Sequence, residues 1–364
     1  MIGRTLATYF AGRFVRAILL VFGFSCAIIW LFDFLELFRR TADAKGFSAG
    51  GVALISLFRV PSIAEQVLPF ATLFGAIAAF LGLSRNLELV VARAAGISVW
   101  QFIAPALVVA VTLGAIGTAL WNPVAAGLKD RAEERLYELT GRDKRLNPSA
   151  STSDVWLRQD GPNGESVIRA RQSLDQGARL GDLTVMSFDR QGRFRARIDA
   201  REAVFADGAW VLSQALVRSE DQAPAEHAAY TIPTYLTIEQ IRESLSTPET
   251  ISFWALRSYV EIARNAGLPA YGYELQYQML MARPLLLAAM VLIAATVSLG
   301  VFRFGNVGRL ILGGVSAGFV LYVVVEVARD LGGVGIVNPA LAAWTPAVIG
   351  SLMGFTILLY REDG

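Results

Sequence analysis

Six apolar intervals free of charged side chains, at residues 17–32, 66–84, 97–121, 284–302, 310–325 and 331–360, constrain this chain more tightly than any other feature. A bilayer core takes roughly 20 predominantly apolar residues to cross as helix. No water is present there to satisfy backbone polar groups, so a crossing segment must bond internally, as a helix does. The intervals fall three and three around a long polar insertion, and the fifth is short, with Glu326, Arg329 and Asp330 following at once. The expected fold class is a multi-pass α-helical membrane protein with six transmembrane helices, 3+3. Composition agrees, with 54% hydrophobic and 18% charged residues and a mean hydropathy of +0.47.

Basic residues near span ends set the orientation. Arg4, Arg13 and Arg16 precede the first span, and Arg85 and Arg93 lie between the second and third. Arg303 and Arg309 lie between the fourth and fifth, and Arg361 follows the sixth. Six crossings put all four places on one side, which is expected to be the cytoplasm with both termini in it. Asp33 and Glu36 follow the first apolar run where a small-residue cleavage site would stand, so that run is expected to be retained as a span.

Residues 123–271 then lie on the far side, and their texture changes. "GDLTVMSFD" and "GRFRARIDAREAVFADGAWVLSQALV" alternate polar and apolar residues between Gly, Asn and Asp turn signals. In "FRARIDA", Phe194, Ala196 and Ile198 share one face, and Arg195, Arg197 and Asp199 share the other, the pattern of a half-buried strand. Several antiparallel strands in a sandwich, jelly roll or open barrel are expected. A helix at 252–265, closed by Gly267, should join this domain to the bilayer, with Phe253, Trp254 and Leu256 on an apolar or interfacial face. Tyr271, Tyr273 and Tyr277 fit an interfacial belt or ordinary packing equally. The expected division is 1–122 for spans one to three, 123–272 for the strand domain and connecting helix, and 273–364 for spans four to six.

The chain has no G-x-x-x-x-G-K-[ST] loop, no H-E-x-x-H and no C-x-x-C. His227 is its one histidine, in "AEHAAY", and a lone histidine is more readily a surface residue than a metal ligand. Cys26 has no partner for an intrachain disulfide. With 33 basic and 31 acidic side chains the formal charge is +2, which gives no nucleic-acid footprint. A catalytic chain, one that binds its own cofactor or metal, or one that hydrolyses ATP is therefore not expected.

Two places carry charge beside the spans. Asp33, Glu36, Arg39 and Arg40 follow the first span, and Glu326, Arg329 and Asp330 follow the fifth. They read either as solvated helix ends or as headgroup contacts, guanidinium forks being suited to phosphate. The second place is "LSRNLELVVARAAGISVWQF" at residues 83–102, where a short helix at about 85–96 carries Arg85, Glu88 and Arg93. Leu87, Val90, Val91 and Ala94 recur at spacings of three and four, an apolar stripe, and Ala95-Gly96 supplies a stop. Such a helix can lie on the membrane or dock in a groove of a cytoplasmic partner.

"LPFATLFGAIAAFLGLSRNLELVVARAAGIS" at 68–98 resembles the second span and coupling helix of the LptF/LptG family, the permease subunits of the lipopolysaccharide export ABC transporter. "ELVV" with "AAGIS" is closer to the LptG members than to the LptF members. The likeness extends over the chain through "FDFLELFRR", the inserted strand domain, "ISFWALRSYVEIARNAG" and "NPALAAWTPAVIG".

The resemblance implies a Gram-negative inner-membrane permease, with its insert a periplasmic β-jellyroll. It implies a heterodimer with LptF, driven by a cytoplasmic LptB ATPase dimer that binds ATP and Mg, and a periplasmic bridge through LptC and LptA. Arg85, Glu88, Leu89, Arg93 and Gly96 would then form the ATPase coupling site. Asp33, Glu36, Arg39, Arg40, Glu326 and Arg329 would lie against lipopolysaccharide, with spans one and five lining its cavity. Other classes consistent with the residues are a lipoprotein-releasing or other ABC permease, an envelope scaffold or sensor, and a membrane enzyme.

Overall fold

The computed structural model describes residues 3–42, 48–140, 155–162, 164–174, 178–189, 191–206, 208–219, 223–236, 248–265, 270–298 and 307–362. Among the described residues, six helices are long and apolar enough to cross a bilayer. They outrun the charge-free intervals. Helix α1 (Arg4–Thr41) has 38 residues, about 57 Å at 1.5 Å per residue against a hydrocarbon core of about 30 Å. Helix α2 (Ala49–Arg85) continues through Arg59 and Glu65. After α3 (Glu88–Ala94), α4 (Val99–Ile116) passes through a π-helical turn at Gly117–Trp121 into α5 (Asn122–Thr140). The third span therefore runs on beyond residue 121 as continuous helix.

The overhanging ends of α1, α2 and α5 form a small core of their own, with Leu37, Val52, Ile55 and Ala132 buried against Phe34, Phe58 and Leu136. Burying those apolar groups in a protein layer explains why these ends stay helical beyond the bilayer.

The second half comprises α6 (Phe253–Asn265), α7 (Tyr271–Ser298), α8 (Val307–Gly333) and α9 (Pro339–Glu362). One boundary differs from expectation. Leu331 belongs to the end of α8, and the sixth span starts eight residues later by number, at Pro339. Glycine carries no charge, so "LGGVG" passes a charge filter while Asn338 begins a new helix by accepting the Ala340 N–H at 2.9 Å. Gly267 and Arg303 lie outside the described residues.

The bundle is held by close helix crossings. A Cβ on Gly75 of α2 would stand 2.5 Å from the Ile18 Cα of α1, and one on Gly114 of α4 would stand 2.5 Å from the Pro284 Cα of α7. Small residues allow such backbone approach where water supplies no drive for association. Pro284 also lacks an N–H for the carbonyl four residues before it, Leu280. The Thr118 hydroxyl donates to that carbonyl at 2.8 Å, so the π-helical turn satisfies what the proline leaves open.

Between α5 and α6 lies the strand domain, six antiparallel strands in consecutive order: β1 (Val155–Gly161), β2 (Gly164–Leu174), β3 (Arg179–Phe188), β4 (Phe194–Ala206), β5 (Ala209–Ser219) and β6 (Ala225–Pro233). Ile168, Val185, Ile198, Trp210 and Leu212 fill one face. Ala196 and Ile198 point inward and Arg195 and Arg197 outward as expected, but Phe194 is exposed. The register slips between Ser187 and Phe188 and detaches Phe194 from the inner row. Trp210 finds a buried acceptor in Gln159 at 2.9 Å, and Gln159 donates to Ser166 at 3.0 Å. On the outer face Asp199 binds Thr184, Arg197 and Arg218. Partial burial pushes its carboxyl up, but these donors outweigh that and hold it below the usual carboxylate value.

Asp182 in β3 (φ 48°) and Gln214 in β5 (φ 54°) take left-handed backbone and flank a gap in β4 pairing at Arg201. The register is unchanged across these positions, and the end of β1 meets the chain after β6, Tyr235 N–H donating to the Asp160 carbonyl at 3.0 Å. Left-handed backbone costs a side chain about 1 kcal/mol or more. Gln214→Gly is therefore expected to stabilise the domain by up to about 1 kcal/mol, after the glycine's own entropy cost. Amide exchange in β4 and β5 measures it, and Gln214→Ala, which keeps the strain, should show no gain.

Candidate functional site

The 83–102 stretch folds into a short helix closed at both ends by its own residues. Asn86 ends α2, its N–H donating to the Gly82 carbonyl at 3.1 Å. Leu87 turns left-handed at φ 62°, and α3 then runs for seven residues. At its far end Gly96 takes φ 82°, Gly96 N–H bonds Arg93 at 2.9 Å and Ile97 N–H bonds Ala92 at 3.1 Å. This pair of bonds around a left-handed glycine is the Schellman stop. Ser98 then opens α4 with a capping box to Gln101.

The faces of α3 are sharply divided. Leu89 and Ala92 are buried, Leu89 joining Phe10, Phe14, Phe80 and Phe102 in the main core. Leu87, Val90, Val91 and Ala94 are exposed, Leu87 at 61% and Val91 at 66%. The stripe inferred from spacing is thus the outward face, while Leu89 is the root that seats the helix. Arg85 and Arg93 are exposed beside it. Glu88 turns to α1, where its Oε1 accepts from Arg13 Nη2 at 3.0 Å and from Asn86 Nδ2 at 3.1 Å. Arg13 is itself bound to the Tyr9 hydroxyl at 2.9 Å and lies 5.4 Å above that ring. Sequence patterning used Arg13 only as a topological marker, because its partner is 75 positions away.

The charged residues after the first and fifth spans divide differently. Arg40 and Glu36 pair across one turn of α1 at 2.6 Å, and Arg39 is exposed in the same last turn. Asp33 faces inward, with its side chain 10% exposed, and binds Arg59 of α2 at 3.1 Å. On α8 Glu326 binds Arg329 at 3.3 Å. Among the described residues no ion pair joins the two clusters.

A third polar group was hidden from the sequence. Glu65 of α2 accepts from Arg283 of α7 at 3.0 Å and from Asn122 at 3.2 Å, and both charged side chains are nearly buried. Counting charge-free residues stops one position short of each, at 66 and 284, and so assigns them to span ends. The continuous apolar pattern through "LFRVPSIAEQVLPF" is the signal that could have kept Glu65 inside a helix.

The family model for lipopolysaccharide export system permeases LptF/LptG matches residues 8–361. The lipopolysaccharide export system permease protein LptG of Escherichia coli strain K12 is 24% identical over 329 residues, covering 89% of each chain. That of Haemophilus influenzae is 23% identical over 341 residues, covering 92% of each. Together with six membrane-length helices and a sheet inserted between the third and fourth, the match over nearly the whole length settles the assignment: this chain belongs to the LptF/LptG family of lipopolysaccharide export system permeases.

Proposed function

We propose that the chain is the LptG-type half of a lipopolysaccharide exporter that does mechanical work without catalysing a reaction. Its basic span ends favour cytoplasmic termini and a periplasmic strand domain. A second permease, LptF, pairs with it, and a cytoplasmic LptB ATPase dimer binds ATP and Mg. The strand domain hands lipid to LptC and LptA. The carrying observation is α3: a helix seated by Leu89 and Ala92 presents Leu87, Val90, Val91 and Ala94 outward. Exposed apolar side chains at helical spacing suit a groove in a partner, where an isolated apolar face would be costly in water.

Closure of the ATPase pair pushes α3, and α3 is bonded to α1 through Glu88 and Arg13. Helices α1 and α8 are the least buried spans, with 6% and 17% of their apolar windows inside the chain against 39–67% for the others. Two such faces supply an apolar wall for acyl chains. Arg39 and Arg40 at the end of α1 provide a basic rim for phosphate. Asp33 is bound to Arg59, so its role is to fix α1 against α2 rather than to touch lipid.

Isolation of the intact membrane complex tests this reading. A second permease, an ATPase pair and bound lipopolysaccharide are expected together; a chain that purifies free of any ATPase would sink it. Within that complex, Arg39→Gln with Arg40→Gln is expected to lower crosslinking of phosphorylated lipid near these positions about tenfold. Each lost charge-assisted contact contributes roughly 0.5–1.5 kcal/mol at a partly wet rim. Unchanged crosslinking would remove these arginines from the lipid site.

A further inference from the structure

The chain leaves the membrane bundle for the strand domain through α5 and returns through Pro248–Thr250 and α6. One side chain touches both connections. Asn122, the first residue of α5, donates to Glu65 Oε2 at 3.2 Å and accepts the Phe253 backbone N–H, at the start of α6, at 2.8 Å. Glu65 is at the same time bound by Arg283 of α7 at 3.0 Å. Three membrane helices therefore meet at one carboxylate, and α6, the helix by which the chain returns, is joined to it through Asn122.

The surroundings are built to present Asn122 there. The π-helical turn at Gly117–Trp121 inserts an extra residue ahead of it, which rotates the following helix relative to α4. The Gly117 carbonyl accepts both the Asn122 N–H and, at 3.4 Å, Arg283 Nη1. Trp121 donates to the Pro61 carbonyl of α2 at 3.1 Å, and Trp254 of α6 donates to the Ala119 carbonyl at 3.1 Å. Lys129 and Glu249 pair at 2.9 Å and tie α5 to the returning chain a second time. Glu65 and Arg283 have side chains only 10% and 13% exposed, so removing either would strand the other in a poorly solvated place. π-Turns that interrupt α-helices recur where a helix must redirect a side chain for function.

We propose that Glu65, Asn122 and Arg283 form a polar joint that fixes α6, the helix returning from the strand domain, to α2, α5 and α7, and that lipid delivery to the strand domain depends on it. These are positioning residues and touch no lipid. The inference rests on the permease reading above. Its consequence is specific: loosening the joint should spare ATP turnover and uncouple it from lipid delivery.

The test uses the assembled complex in phospholipid vesicles with lipopolysaccharide. Asn122→Ala should raise amide exchange in α6 at least tenfold while α7 stays protected, and lower the lipid delivered per ATP at least fivefold with ATP turnover unchanged. A second variant guards against simple misfolding. Glu65→Met with Arg283→Met removes both charges together, which a purely structural ion pair tolerates; the joint predicts that lipid per ATP stays low, because Asn122 has lost its acceptor. Unchanged α6 exchange in Asn122→Ala overturns the proposal. So does raised exchange with normal lipid per ATP, or normal lipid per ATP in the double variant. A wild-type complex that delivers no lipid would instead remove the permease reading, while the exchange measurement still reports on the joint.

Discussion

Valine at Gly114 is expected to cost the folded bundle about 3 kcal/mol, at the upper end of overpacking substitutions. The reason is backbone against backbone. Even the Cβ would stand 2.5 Å from the Pro284 Cα and 2.9 Å from its nitrogen. A flexible side chain could swing aside, but a proline ring in a helix cannot. The two helices would have to separate, and with them would go the Thr118 bond to the Leu280 carbonyl and the Arg283 approach to Gly117. A loss of that size should appear as a lower unfolding midpoint in detergent and a smaller yield of folded protein. Gly127 in α5 is the control: nothing lies within 4 Å of a Cβ placed there, so Gly127→Val should change stability by no more than about 0.5 kcal/mol. Equal behaviour of the two variants would show that the α4–α7 crossing is not the tight contact described.

Lysine at Glu88 is the second large effect, and it should fall on coupling rather than on folding. The helix is seated by Leu89 and Ala92, which the substitution leaves alone. It replaces the acceptor of Arg13 and Asn86 with a cation and brings two positive charges together at the root of the exposed apolar stripe. Reversing a charge at a protein interface commonly costs 2 kcal/mol or more, about 30-fold in affinity. Lipid-stimulated ATP turnover by the complex is therefore expected to fall at least tenfold, while membrane insertion and yield stay normal. Co-purification and turnover at wild-type levels would exclude Glu88 from the coupling site. Arg13→Gln separates the causes, since it breaks the bond to α1 without altering the docking face. If it loses as much turnover as Glu88→Lys, the link to α1 carries the effect.

The membrane architecture was legible because desolvation is severe and leaves a coarse mark. Any stretch that crosses lipid must shed charge, so the six spans and their 3+3 grouping could be counted from the chain. The same rule misplaced the ends. Charge is expelled from hydrocarbon but not from helix, and α1 runs on through Asp33, Glu36, Arg39 and Arg40 because Leu37 and its neighbours find a protein core above the bilayer. Leu331 was counted with the sixth span for the complementary reason: glycine is uncharged, yet it stops helices.

The strand domain was legible by its alternation, down to the inward Ala196 and Ile198. Phe194 escaped the pattern because a register slip is a property of two strands and leaves no trace in either alone. Helix α3 was legible in its spacing and its Gly96 stop, since both are local. Its long-range partner was not. Arg13 and Glu88, Glu65 and Arg283, and Asp33 and Arg59 are each joined by folding across tens to hundreds of positions. A single sequence records such a pair only as two unrelated charges.

Helix α3 is bracketed by two residues of opposite hand to its own, Leu87 at φ 62° and Gly96 at φ 82°. Both of its end turns are closed by local hydrogen bonds, so neither neighbour continues its ladder. The eight residues between form a short unit set off from both neighbouring helices. On the proposed function, pressure on its outer face should tilt this unit as a whole rather than unwind its bonded turns. The bond from Glu88 to Arg13 lies beside Leu87, where such a tilt would pull on the first turns of α1.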